Sequence, residues 1–204
     1  MVFLHCCERG APSAARPTDD GDLALNVRAR PTVLADITAV LVQLGFRSVG
    51  ISPEGHEHRW TRGDAQLDIL VPTGLGNRAG KHTGITGSTT VAAPGAQQAI
   101  SRSELVQVAA GGVTGRAWRP SLLGALVAKA GAYTTPDPYR DRHIQDFAVL
   151  ASLIGRADLA SGSVTKSDRR HLVAMLKALE TKPGLWADVD GADRGVAVLR
   201  QRMG

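Results

Sequence analysis

The clearest periodic signal in the chain is a helix bracketed by strand patterns, and it limits the folds open to the sequence. Between residues 31 and 44, Val33, Leu34, Ile37, Val40, Leu41 and Leu44 recur at helical spacing, with Pro31 in the first turn and Gly45 as the stop. An apolar run over 23–29 precedes this helix and reads as a strand. "SVGIS" (48–52), "HRWTR" (58–62) and "AQLDILV" (65–71) follow it and read as three more. Gly63 and Asp64 leave room only for a tight hairpin turn between the last two. Residues 73–100 are rich in Gly, Thr, Ala and Pro and read as a long loop or lid with one short helix. "ELVQVAA" (104–110) and "GRAW" (115–118) suggest a further strand pair. From Pro120 onward the pattern is helical, over 120–132, 140–154, 167–180 and 188–202, with Ser167 as an N-cap. The order predicts an α/β or α+β fold: a mixed sheet core over 1–118 and a helical C-terminal part over 119–204.

Composition narrows the function classes. The chain of 204 residues is 43% hydrophobic and 21% charged, which suits a globular protein with a buried core. Aromatic residues make up 4%, which argues against base-stacking as a main device. The net charge of +5 is compatible with a polyanionic partner. Cys6 and Cys7 are adjacent and alone, so neither a disulfide framework nor a zinc spacing is present. No segment reads as a membrane span or a signal peptide, so no membrane partner and a cytoplasmic location are expected.

Three acids crowd into "TDDGDL", at Asp19, Asp20 and Asp22. Side chains two apart on a strand point the same way, so Asp20 and Asp22 share a face. Two carboxylates about 4 Å apart repel by roughly 4 kcal/mol at an effective dielectric near 20, so solvent must screen them or a cation must sit between them. Mg²⁺ or Mn²⁺ suits such a pair, being a hard ion that takes oxygen ligands and substrate phosphates. A polar turn is the plainer alternative. A second acid, Asp68, interrupts the apolar "AQLDILVP". Either it lies on an edge strand in water, or it faces Asp20 and Asp22 across a sheet.

The run "RPTDDGDL", followed some forty residues later by "LDILVP", resembles the polymerase-β-type nucleotidyltransferase superfamily, and within it the AbiEii-like toxins of bacterial toxin–antitoxin systems. Arg16, Thr18, Asp20, Asp22 and Leu23 match that family's R-x-T-x-D-x-D-L pattern. The resemblance implies that Asp20 and Asp22 hold the metal on a nucleoside triphosphate, that Asp68 is the third acid, and that Arg16 and Thr18 help bind the nucleotide. Lys129 matches a family lysine that contacts the triphosphate, and Asp146, in "YRDRHIQDFAVL", matches an acid that orients it. Helical spacing places both beside apolar stripes, where the two would pair. The implied activity is transfer of a nucleotide from an NTP to an acceptor hydroxyl on RNA, in particular tRNA, with a separately encoded antitoxin as partner. The alternatives are a small-molecule acceptor and a catalytically silent module of the same fold.

Between Asp68 and Asp137 the only acid is Glu104, against Arg78, Lys81, Arg102, Arg116, Arg119 and Lys129. Such a basic stretch suits a triphosphate or an RNA backbone. In one respect the chain departs from the family. A Gly-Gly or Gly-Ser pair normally precedes the paired aspartates, whereas here Gly10 stands alone in "ERGAPSA". "MVFLH" reads as the interior of the helix that follows such a turn, so the natural chain is expected to extend upstream of Met1. A different phosphate cradle or a degenerate site are the other readings of the same gap.

Overall fold

The computed structural model describes residues 1–11, 20–76, 82–136, 139–155, 158 and 164–204. The chain divides into two compact units, one of residues 17–97 and one of residues 1–16 with 98–204. The order of expected elements puts a division where strands give way to helices, at 118/119. Packing groups the second strand pair and the first helix with the C-terminal helices.

The first unit is built on a five-stranded mixed sheet in the order β1-β4-β3-β2, with β5 also on β4. The strands are β1 (Asp20–Ala24), β2 (Arg47–Ser48), β3 (Arg59–Arg62), β4 (Ala65–Pro72) and β5 (Val91–Ala93). β1 runs parallel to β4, β3 runs antiparallel to it, and β5 pairs in parallel with its end. β4 is therefore a central strand, and Asp68 is 8% exposed. The alternative of an edge strand with Asp68 in water is set aside.

Alternation along the strands sorts the two faces. Leu23, Leu67, Ile69 and Val71 pack with Trp60 and with Leu34 and Leu41 of α2 (Val33–Gln43). α2 covers this face through Leu34, Ile37, Thr38 and Leu41. Val40 and Leu44, expected on the same stripe, are 45% and 54% exposed because they lie round the helix from it. Gly45 ends the helix as expected, with the Phe46 N–H bonded back to the Leu41 carbonyl.

Several boundaries differ from the sequence reading. β1 begins at Asp20 and not at residue 23, so the aspartates lie inside the strand. The 48–52 strand shrinks to β2, because Pro53 and Gly55 turn the chain, with the Gly55 N–H on the Ser52 carbonyl at 2.8 Å. The Gly-rich stretch after residue 73 contributes β5, so it is not wholly loop. Thr38 ties part of that stretch to α2 by accepting from the Ile85 N–H at 2.9 Å.

The second unit contains α1 (Val2–Glu8), the hairpin β6 (Ser103–Ala110) and β7 (Val113–Pro120), and four longer helices. These are α4 (Leu122–Tyr133), α5 (Arg142–Ser152), α6 (Lys166–Thr181) and α7 (Ala192–Met203). A short helix, α3 (Ala96–Ser101), spans the division of the chain. Leu126, Ile144, Phe147, Leu172, Met175 and Leu199 form the centre of this unit's core. Thr165, not Ser167, caps α6. Its hydroxyl accepts from the Asp168 N–H while the Asp168 carboxylate accepts from the Thr165 N–H, a reciprocal box. Gly10 has a physical role at the end of α1. It takes φ +72, and the Ala11 and Gly10 N–H groups close on the Cys6 and Cys7 carbonyls, a left-handed helix stop. Among the described residues no helix is long and apolar enough to cross a membrane.

Candidate metal centre

The acidic face of the sheet is set by strand register. In the parallel β1–β4 pair Asp20 stands opposite Gln66 and Asp22 opposite Asp68. Register partners share a face, so all three carboxylates rise from the side of the sheet away from α2. One oxygen from each of Asp20, Asp22 and Asp68 lies within 4.8 Å of the others. Asp20 and Asp22 are exposed, and Asp68 is buried between its neighbouring strands.

The donor set fits a hard divalent ion. Oxygens of an octahedral Mg²⁺ site at 2.0–2.1 Å from the metal stand about 2.9 Å apart when adjacent and about 4.2 Å apart when opposed. Separations within 4.8 Å need only a small side-chain adjustment to reach that range. Three carboxylates without sulfur or imidazole select Mg²⁺ or Mn²⁺ over Zn²⁺.

A fourth residue belongs to this face. Arg59 is the antiparallel register partner of Asp68. Its Nε donates to Asp68 Oδ1 at 2.9 Å and its Nη2 donates to Oδ2 at 2.7 Å. The hydrogen bonds that Arg59 donates to Asp68, followed by the fields of Asp68, Asp20 and Asp22, raise the Arg59 pKa above its ordinary value against the opposing effect of burial. Arg59 thus lies in the field of all three acids. Sequence reasoning missed it, although the signal was present. The two-residue loop Gly63–Asp64, with positive φ at Gly63 only, pairs Arg62 with Ala65. Counting back three places along each strand sets Arg59 against Asp68.

The other expected site residues are not among the four of this sheet face. Arg16 and Thr18 lie outside the described residues. Lys129 on α4 and Asp146 on α5 belong to the helical unit, where Nζ and Oδ2 pair at 2.7 Å with side chains 17% and 7% exposed. The pairing expected from helical spacing is therefore present.

The basic middle of the chain is less available than its composition implies. Arg119 is 4% exposed and bridges Glu8 and Glu104, and Arg102 bonds the fully buried Asp168 at 2.6 Å. With Lys129, three of the six cations are held in internal ion pairs. Arg116 is exposed on β7, and Arg78 and Lys81 lie outside the described residues. Asp168 was also missed, although "TKSD" carries the Thr-x-x-Asp spacing of a capping box.

Comparison of the chain with protein-family models, with curated proteins and with solved structures found no match.

Proposed function

We propose that the chain is a metal-dependent nucleotidyltransferase that moves a nucleotide from an NTP to an acceptor hydroxyl, with RNA, and tRNA in particular, as acceptor. One observation carries this reading. Three carboxylates, two on one strand and one in register on its parallel neighbour, converge on the open face of a mixed sheet. Carboxylates that close repel one another, whereas a divalent ion takes them as a ligand set. When bound, the ion supplies charge neutralisation on a phosphate and a fixed geometry for in-line displacement.

In this proposal Asp20 and Asp22 hold the ion from adjacent same-face positions of β1. Asp68 contributes from the central strand, either as a third ligand of the ion or as the group that activates the attacking hydroxyl. The roles of Lys129 on phosphate oxygens and of Asp146 in orienting it are part of the same proposal, as is a cognate antitoxin partner. A second reading is favoured by the Arg59 fork, which already neutralises Asp68. In it the acids are a charged sheet face, and the chain acts as a binding module without chemistry.

Incubation with Mg²⁺, each labelled NTP in turn and total tRNA separates the two readings. The enzyme reading expects label on tRNA from the wild type and none from Asp22→Ala. Equal label in both, or label in neither, would contradict it, and indifference of every activity to Asp22→Ala would support the silent module.

A further inference from the structure

The guanidinium of Arg59 has a divided environment. Its inner edge is bound by both Asp68 oxygens. Its side chain is nevertheless 42% exposed, against 12% for that of Asp68. An arginine carries five N–H donors, and the fork on Asp68 uses two of them. The other three lie outside that fork, on a side chain that solvent reaches. The fork does not disable Asp68 as a ligand, because a carboxylate offers about four lone-pair sites and the fork takes two.

Charge sharpens the point. Of the four groups Asp20, Asp22, Asp68 and Arg59, three carry negative charge and only one carries positive. A polyphosphate arriving on a bound divalent ion brings further negative charge beside two exposed carboxylates. A fixed cation beside them offsets it, and a planar donor fork suits phosphate oxygens.

We infer that Arg59 is an anion-contacting residue of this site: the fork on Asp68 fixes the guanidinium in place, and its outer N–H groups take an oxygen of a metal-bound polyphosphate. The inference rests on the proposed metal-centre reading and extends it to a residue on a third strand. It also makes a prediction of opposite sign for two ligands. Loss of Arg59 removes a positive charge from beside the acids, which then hold a lone cation at least as well. It removes the contact for the anion and adds repulsion against it.

The test uses the full chain and its Arg59→Gln and Arg59→Lys variants, with Mn²⁺ alone and then inorganic tripolyphosphate in saturating Mn²⁺. Free Mn²⁺ is followed by electron paramagnetic resonance, and tripolyphosphate by calorimetry. In Arg59→Gln, Mn²⁺ affinity is expected to be unchanged or higher. Tripolyphosphate affinity is expected to fall about 10- to 100-fold, the range of a charge-assisted hydrogen bond. Arg59→Lys keeps the charge without the fork and is expected to fall in between. Parallel weakening of both ligands would make Arg59 merely structural and overturn the inference. So would an unchanged tripolyphosphate affinity, or a wild type that takes Mn²⁺ but no tripolyphosphate; both leave the metal centre standing. A wild type that binds no Mn²⁺ would overturn this inference and the metal centre together.

Discussion

Replacing Asp22 by Asn should stabilise the protein in chelator and destabilise it, relative to wild type, in Mg²⁺. The reason is the spacing of the acids, whose oxygens lie within 4.8 Å of one another. Two unit charges at that separation repel by about 3.5 kcal/mol at an effective dielectric of 20 and by about 0.9 kcal/mol in bulk water. Asp20 and Asp22 are exposed, so the value for their pair belongs near the lower end. The repulsion between Asp22 and Asp68 is offset by Arg59 on Asp68. The Asp20–Asp22 repulsion that Asn relieves is therefore about 1 kcal/mol. For a chain of this length that is a rise in Tm of about 2–4 °C in EDTA. In Mg²⁺ the wild type gains free energy by mass action, about 2.7 kcal/mol at one hundred times Kd, while the variant gains little. The two melting temperatures, followed by scanning fluorimetry, should then change order between EDTA and Mg²⁺. A variant less stable than wild type in EDTA, or a wild-type Tm that Mg²⁺ does not move, would refute the reasoning.

Three further expectations concern the helical unit. Lys129→Met should cost about 2–4 kcal/mol in denaturant titrations, because it leaves the 7%-exposed Asp146 side chain without its 2.7 Å partner; Lys129→Met with Asp146→Leu should recover much of that loss, and simple additivity would contradict it. Gly195→Ala should destabilise by about 3 kcal/mol, since a Cβ there would meet the Ala151 carbonyl oxygen at 1.9 Å; a Tm within 2 °C of wild type would show that α5 and α7 can separate at little cost, and the range follows from overpacking in cores. His5 is buried, and burial first and the Arg119 charge second lower its pKa from 6.5 to about 4, against the hydrogen bond to the Pro120 carbonyl. The neutral ring is the folded form, so His5 contributes stability above pH 6.5 that is lost as pH falls toward 4, about 3 kcal/mol in all. His5→Gln should flatten the stability profile across that window, and an unchanged slope would contradict the assignment.

Much of this architecture can be read from the chain because local and tertiary signals agree. β4 alternates apolar and polar residues, the hairpin turn before it is two residues long, and α2 carries its own stripe and stop signal. The face bearing Asp22 and Asp68 follows from alternation alone. That Asp22 sits in register with Asp68 does not, because parallel pairing joins segments some forty residues apart and no local pattern fixes their offset. β1 begins earlier than its apolar residues suggest, since pairing with β4 extends over Asp20 and Gly21 even though acids and glycine are poor strand formers. Arg59 was legible by counting through the hairpin. The Arg102–Asp168 and Glu8–Arg119 pairs were not, for they join residues 66 and 111 positions apart. A run of like charges therefore read as an open basic surface, while tertiary packing had supplied internal partners to several of its members.

The most direct test of the metal centre is a crystal grown or soaked in Mn²⁺ and recorded at a wavelength where manganese scatters anomalously. The account predicts one strong anomalous peak, within coordination distance of carboxylate oxygens from Asp20, Asp22 and Asp68, that is absent in Asp22→Asn. An empty acidic face with Arg59 still closed on Asp68, in crystals whose lattice leaves that face open to solvent, would contradict it.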